Sequence, residues 1–358
     1  MRRVLCLVLC LLGLALPVRA AEVPEELRQA LPREAAEVLE EVDASSVNGF
    51  SAGVRRIFEG LKDSFGGLLR RQIRGAAAVL LAVILCAVVE NLYQGAGGKT
   101  PLYLSMAGAL SVAALSAGDL DSLIGLGGET IAQLNIFAKA LLPTLAAATA
   151  ASGAVTTAAF QQVTTVFLVN LLLQLIDTLL MPLVYLYIGV LTAAGCTGES
   201  RLAAIADGLK KLLTWILSTA LLLFTLYLSV ARVISGAVDG AAVKVTKAAI
   251  SGVVPVVGGI IADATETVLA GAGLLKNTVG IFGMLGILAA CAYPFLQLGV
   301  QYLLYKLTAY LASAVGAPAL CKLIDGLAGA FGLVLGMTGA CALLLLVSVL
   351  SSVAAVVP

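Results

Sequence analysis

Charge is missing from most of this chain in long, uninterrupted runs. Beyond residue 74, seven stretches carry no Asp, Glu, Lys or Arg: Gly75–Val89, Thr100–Gly118, Ala140–Ile176, Thr178–Gly198, Leu212–Ala231, Asn277–Tyr305 and Gly326–Pro358. A helix needs about 20 apolar residues to cross a bilayer core of about 30 Å. Inside that core every backbone N–H and C=O must be satisfied within the protein, which leaves helices as the economical solution for runs of this length. The pattern predicts an all-α, polytopic membrane protein with six to eight spans. Composition agrees. Residues of the AVILMFWYC set make up 60% and charged residues 12%, against about 45–50% and about 25% in soluble domains.

The formal charge of +1 conceals an asymmetry. The first 74 residues hold 21 of the 43 charged side chains, 11 basic and 10 acidic. Neither half has the net positive charge that nucleic-acid binding needs. There are no histidines, which removes Ser-His and Cys-His hydrolases, His-ligated metals and His-ligated haem. The seven cysteines contain no CxxC pair and sit mostly in apolar runs, where cysteine acts as a small hydrophobe. Neither a metal nor any other cofactor is expected.

Arg2 and Arg3, an apolar run Val4–Leu16 and the small residue Ala20 read as a signal peptide over residues 1–20. Residues 21–74 are then a short, charged, extracytoplasmic helical segment, and 75–358 the membrane domain. Glu22–Asp43 holds eight acids against two arginines, with a short helix over Arg33–Val42 and a loop at Val47–Phe50. Between Arg55 and Arg74 the apolar positions Val54, Ile57, Phe58, Leu61, Phe65, Leu68, Leu69 and Ile73 recur in steps of three and four. The resulting amphipathic helix, with Phe58, Leu61 and Phe65 on one face and Arg70 and Arg71 mostly off it, suits a membrane interface or a partner helix. Arg70, Arg71 and Arg74 then flank the first span on its outer side, against the positive-inside tendency.

Within the membrane part, Pro143, Pro182 and Pro294 are expected to kink or end helices. Residues 234–277 are rich in small residues, and their uncharged core is broken by Pro255, Gly258 and Gly259, with Asp263 and Glu266 following. A re-entrant or broken helix lining a cavity and an amphipathic hairpin at the surface both fit. Asn170, Gln174 and Asp177 share one face of an otherwise apolar helix. They line a conduit or serve as interhelical hydrogen-bond glue. Gly332, Gly336 and Ala340, like Gly236 and Gly240, have the small-xxx-small spacing of close helix contacts.

Other motifs fail on context. GAGGKT at Gly95–Thr100 has Tyr93 where a phosphate-binding loop needs its first glycine. Asp119 and Asp177 are the candidates for an intramembrane aspartyl pair, but Ser116 stands where that motif has glycine. An enzyme is not expected.

Leu141–Gln161 (LLPTLAAATAASGAVTTAAFQ) and Val233–Gly280 resemble the stage III sporulation protein AE family of endospore-forming bacteria. The resemblance extends over about residues 30–358, and Val233–Gly280 carries most of its specificity. It implies a membrane subunit of a multi-protein complex in the mother-cell membrane around the engulfed forespore. With the other stage III sporulation membrane proteins and a forespore partner, the stage II sporulation protein Q, the complex forms a channel or secretion-like apparatus that sustains late forespore gene expression. It implies no catalytic residues. The alternative from the residues is a stand-alone secondary transporter with its site in the broken helix. Self-association is compatible with both.

Overall fold

The computed structural model describes residues 23–39, 47–95, 102–151, 165–253 and 258–353. Side chains at 47–48, 102, 228–253 and 258–276 lie outside the description, as do the expected signal peptide and Pro255. Two short helices open the chain, α1 (Glu25–Gln29) and α2 (Arg33–Leu39). Then come α3 (Val47–Gly95), α4 (Leu102–Ala151), α5 (Val166–Leu175), a π turn (Ile176–Leu180), α6 (Met181–Thr197), α7 (Ser200–Val253), α8 (Gly258–Ala314) and α9 (Pro318–Val353). Six stretches are long and apolar enough to cross a membrane: Gly49–Gly95, Tyr103–Ala151, Val166–Thr197, Ser200–Tyr227, Asn277–Ala314 and Pro318–Val353.

Several elements are longer than the uncharged runs predict. α3 has 49 residues and α4 has 50, so each is about 75 Å long at 1.5 Å per residue. Val47–Phe50, expected as a loop, is the first turn of α3. The amphipathic stretch and the first span are one helix, unbroken at Arg74 and Gly75. The runs beginning at Thr100 and Ala140 are likewise joined in α4, through Asp119, Asp121, Glu129 and Lys139. Charge interrupts a run without interrupting a helix, because these side chains leave the backbone ladder intact.

The prolines divide. α4 runs through Pro143 and α8 through Pro294. Pro182 follows the π turn directly. Proline cannot donate to the carbonyl four residues back and its ring crowds that carbonyl, and a wider turn just ahead of it relieves both. Two glycines close the described turns from the left-handed region, Gly198 (φ 67°) after α6 and Gly316 (φ 89°) before α9.

Contacts fix the directions. Gly283 meets Leu141 and Gly286 meets Phe137, so α8 is antiparallel to α4. Leu320 faces Gly108 and Val334 faces Gly127, so α9 is parallel to α4. Leu191 faces Gly326 and Leu217 faces Gly336, which sets α6 antiparallel and α7 parallel to α9. α8 and α9 are central, with 50% and 56% of their apolar windows buried, whereas α7 is peripheral at 11%. The α1–α2 segment lies on the bundle through one stripe, Val23, Leu27, Leu31, Ala35 and Leu39, all buried at four-residue spacing. Leu31 reaches Gly286 of α8.

Small residues allow these approaches. A Cβ at position 326 would stand 2.5 Å from Leu191 Cδ2, and one at 127 would collide with Val334 Cγ1. The Gly332–Gly336–Ala340 stripe packs within the chain, with Tyr302 against Gly332 and Leu217 near Gly336. Several buried hydroxyls are satisfied by carbonyls one turn back, as in Thr338 to Val334, Ser348 to Leu344 and Thr149 to Leu145.

The uncharged zones do not lie at one height. Asp119 of α4 is level with Gln301 of α8, and Tyr305 of α8 stacks edge-on against Phe331 of α9 at 5.1 Å. The uncharged parts of α3 and α4 extend from this level toward their connection, exposing Leu81, Leu85, Leu92, Tyr103 and Leu110. The uncharged run of α9 extends the other way, and with it the exposed Phe167, Leu171, Leu222, Leu226 and Leu343. From the residue count the first zone is about 26 Å tall and the second about 40 Å.

Gly326→Leu forces the α6–α9 contact apart and should cost about 1–3 kcal/mol, the usual range for overpacking. Gly125→Ala meets no atom within 4 Å and should be neutral or stabilise by about 0.5–1 kcal/mol, since glycine is the more costly residue in a helix. Thermal melts of the detergent-solubilised protein read both, and equal melting temperatures for the two variants would contradict the assigned contact.

Candidate functional site

Asn170, Gln174 and Asp177 come from α5 and the π turn, one helical turn apart in sequence. Asn170 is half-buried; Gln174 and Asp177 are exposed. Asp177 is the one charged residue between Lys139 and Glu199, and no hydrogen bond or ion pair joins it to another described residue. The stripe therefore faces outward from the described bundle. Neighbours are apolar: Phe167, Leu171 and Leu179 are exposed on the same stretch. An acid on a lipid-facing surface costs about 2.5–3.5 kcal/mol on insertion scales, so this face is suited to a partner helix or to water.

The aspartyl pair does not form. Met181 lies against Gly128, and Asp177 is one turn further from Asp119. The rise per residue puts the two carboxylates roughly 20 Å apart along the bundle. Asp119 instead accepts hydrogen bonds from Gln301 Nε2 at 2.8 Å and Tyr305 Oη at 3.4 Å. Gly75 permits this crossing of α3 over α4, since a Cβ there would be 2.7 Å from Asp119 Oδ2. One turn below Gly75, Gln72 Nε2 donates to the Gln297 carbonyl at 3.0 Å.

A second polar group lies between α6, α7, α8 and α9. Tyr187 Oη donates to the Gly326 carbonyl at 2.9 Å. Lys306 pairs with Asp325 and sits 6.0 Å from the centre of the Tyr302 ring. Lys210 Nζ would be 2.8 Å from a Cβ at Gly329. Sequence reasoning did not connect these residues, because their partners are 19 to 225 positions apart. The usable signal was a charged residue at the edge of an uncharged run, as with Asp119, Lys306 and Asp325.

The candidate interface helix divides across two environments. Ile57 and Leu68 are buried and Leu61 packs on the core. Phe58 is 67% exposed and Phe65 39%, and Arg70 and Arg71 are exposed. The apolar face is wider than its docking surface, so one edge packs inward and the Phe58–Phe65 edge stays free. Gly258, Gly259, Asp263 and Glu266 fall in the first turns of α8; their side chains, and Pro255, lie outside the described residues, as do the side chains at Gly236 and Gly240. Among the described residues no group of three or more His, Cys, Asp or Glu side chains is arranged to hold a metal.

A family model described as stage III sporulation protein AE matches residues 37–356. Stage III sporulation protein AE of Bacillus subtilis (strain 168) is 28% identical over 250 residues, covering 69% of this chain and 62% of that protein. The matched region thus spans less than two thirds of the relative's length. No solved structure matches.

Replacing Asp177 with Leu removes a charge that has no described partner. The isolated chain should keep or gain thermal stability, by up to about 3 kcal/mol of insertion free energy. A lowered melting temperature would show that Asp177 is bonded within its own chain.

Proposed function

The chain belongs to the stage III sporulation protein AE family, and from that membership we propose that it is a membrane subunit of the channel or secretion-like complex linking mother cell and forespore. Membership carries a role in sporulation, and six long apolar helices place the chain in a membrane. In the proposed arrangement the membrane is that of the mother cell around the forespore. The partners are the other stage III sporulation membrane proteins and, across the intermembrane space, the stage II sporulation protein Q. The protein assembles or conducts and does not catalyse.

The observation that carries this reading is α3. It continues from an apolar half into a charged half without a break. The charged half keeps Phe58, Phe65 and Ile73 exposed beside Arg70, Arg71 and Arg74. Aromatic and arginine side chains on a rigid support are the composition of binding hot spots. The outward stripe Asn170–Gln174–Asp177 supplies a second contact, at membrane depth, for a neighbouring subunit or a water-filled passage.

Two measurements test the proposal. A strain lacking the protein should arrest after engulfment, with late forespore gene expression lost; normal spore yield would remove the proposal. Phe58→Asp with Phe65→Asp should leave the melting temperature of the purified chain unchanged, because both side chains are exposed. The same pair should lower recovery of co-purifying sporulation membrane proteins by about ten-fold, equivalent to about 1.4 kcal/mol. Undiminished recovery would place the docking surface elsewhere.

A further inference from the structure

One acid stands alone at the middle of an apolar zone. Between Lys139 and Glu199 the chain has no charged residue except Asp177, so the connection from α4 to α5 holds no base to offer it. Leu191 of α6 faces Gly326 of α9. Counting equally along these two antiparallel helices puts Asp177 level with Ala340, near the centre of the uncharged run Gly326–Pro358. Asp177 also lies close to Cys341 of α9.

The helices packed on α5 and α6 are α4, α7 and α9, and none carries a base at this depth. α9 is uncharged over Gly326–Pro358 and α7 over Leu212–Ala231. Leu217 of α7 lies near Gly336, so Lys211 and Arg232, which bound that run, are each about 15 Å from the level of Asp177 along the axis. On α4, Met181 faces Gly128, which puts Lys139 about 10 Å further along; it forms no ion pair with Asp177. Gln174 shares the exposed side with Asp177, and Asn170 is half-buried one turn before it. None of the three bonds another described residue. Exposed Phe167, Leu171 and Leu179 flank them.

Three ways of neutralising Asp177 differ in what else they cover. A proton removes the charge and leaves the Gln174 amide against lipid. A water passage hydrates the polar side chains but also wets Phe167, Leu171 and Leu179. A helix laid along the seam covers two turns of polar groups and their apolar margins together, and a base on it at the height of Asp177 balances the charge. The i, i+4, i+7 spacing is the one by which a helix presents a line of anchors to another helix. Ionisable groups at membrane depth pair with one another in this way. A second copy of this chain does not supply the base. Lys306 is the base set most deeply between apolar runs, and it is already paired with Asp325.

We propose that Asn170, Gln174 and Asp177 form the docking seam for a membrane-spanning helix of a different subunit, one that carries a lysine or arginine near its midpoint and turns it toward Asp177. Gln174 and Asn170 hydrogen-bond along the same helix, and Phe167, Leu171 and Leu179 pack at its sides. The inference rests on the reading of this chain as a subunit of a membrane complex, and it adds the chemistry by which a neighbour is recognised.

A synthetic probe tests this on the full-length protein in phosphatidylcholine bicelles. The probe is a fluorescent, tryptophan-flanked leucine–alanine peptide long enough to span, made with leucine, lysine or asparagine at its midpoint. Energy transfer to the labelled protein reads binding. The lysine peptide should bind at least about ten-fold more tightly than the leucine peptide, a difference of about 1.4 kcal/mol. Asp177→Leu should abolish that preference, and Asp177→Lys should transfer it to a peptide with a central aspartate. Equal binding of the lysine and leucine peptides overturns the proposal, as does a preference that survives Asp177→Leu. An asparagine peptide that binds as tightly as the lysine one also overturns it, because a neutral partner for a protonated acid then suffices. Self-association of the wild-type chain that is lost in Asp177→Leu overturns it too, by making a second copy the occupant. Should a variant fail to fold, the wild-type chain against the three peptides decides alone. The assay contains no sporulation protein, so its failure is read separately from failure of the sporulation role.

Discussion

Contact between helices without intervening side chains is the constraint on which this bundle depends. Lipid offers no hydrophobic reward for bringing two apolar helices together, so association at membrane depth relies on dispersion and on close backbone approach. Glycines at positions 127, 280, 283, 286 and 326 each stand where a Cβ would strike a side chain on a neighbouring helix. They fall mainly on α8 and α9, the two most buried helices. Peripheral α7 makes such a contact through Lys210, which stands against Gly329 of α9, and it presents large apolar side chains such as Trp215 and Leu222 outward.

Polar groups are tolerated inside this packing by two different means. The hydroxyls of Thr130, Thr338 and Ser348 close back onto their own helix and ask nothing of a neighbour. Amides and acids do this less readily: Gln297 reaches Tyr293 on its own helix, while Gln301 and Asp119 meet across helices. Tyr187, Lys306 and Asp325 succeed, and their bonds hold α6, α8 and α9 in register. The Asp119 crossing is only half successful, with donors for the acid but none for the oxygens around it. Asp177 has no described partner at all. Satisfaction does not follow depth: the Lys306–Asp325 pair is partly exposed, whereas Gln301 and Ser116 are fully buried.

Much of this architecture was legible in the amino-acid order. Uncharged runs located the six apolar helices, and the composition removed histidine-dependent chemistry. Helix ends were less legible, because Asp119, Asp121, Glu129 and Lys139 look like a boundary yet lie within α4. The buried stripe at Val23, Leu27, Leu31, Ala35 and Leu39 was present at perfect four-residue spacing, masked by the acidic residues around it. Long-range pairing was illegible for a physical reason. Nothing local distinguishes Gln301, which meets Asp119 182 positions away, from Gln297, which bonds Tyr293 one turn before it. The apolar periodicity between Val54 and Ile73 is legible in the sequence; which of those positions are covered, Ile57 and Leu68 but not Phe58, depends on a bundle surface that periodicity does not encode.

The end-to-end arrangement of the two apolar zones bears on how this chain is wetted. Together they extend about 66 Å, more than twice the hydrocarbon thickness of a bilayer. A single flat slab of lipid covers one zone and leaves the other against water. Local thickening costs too much to close a gap of that size when each ångström of mismatch carries a fraction of a kcal/mol. α6 straddles the two zones, with Leu191 against Gly326 and Met181 against Gly128, and so ties whichever part lies in lipid to the part beyond it.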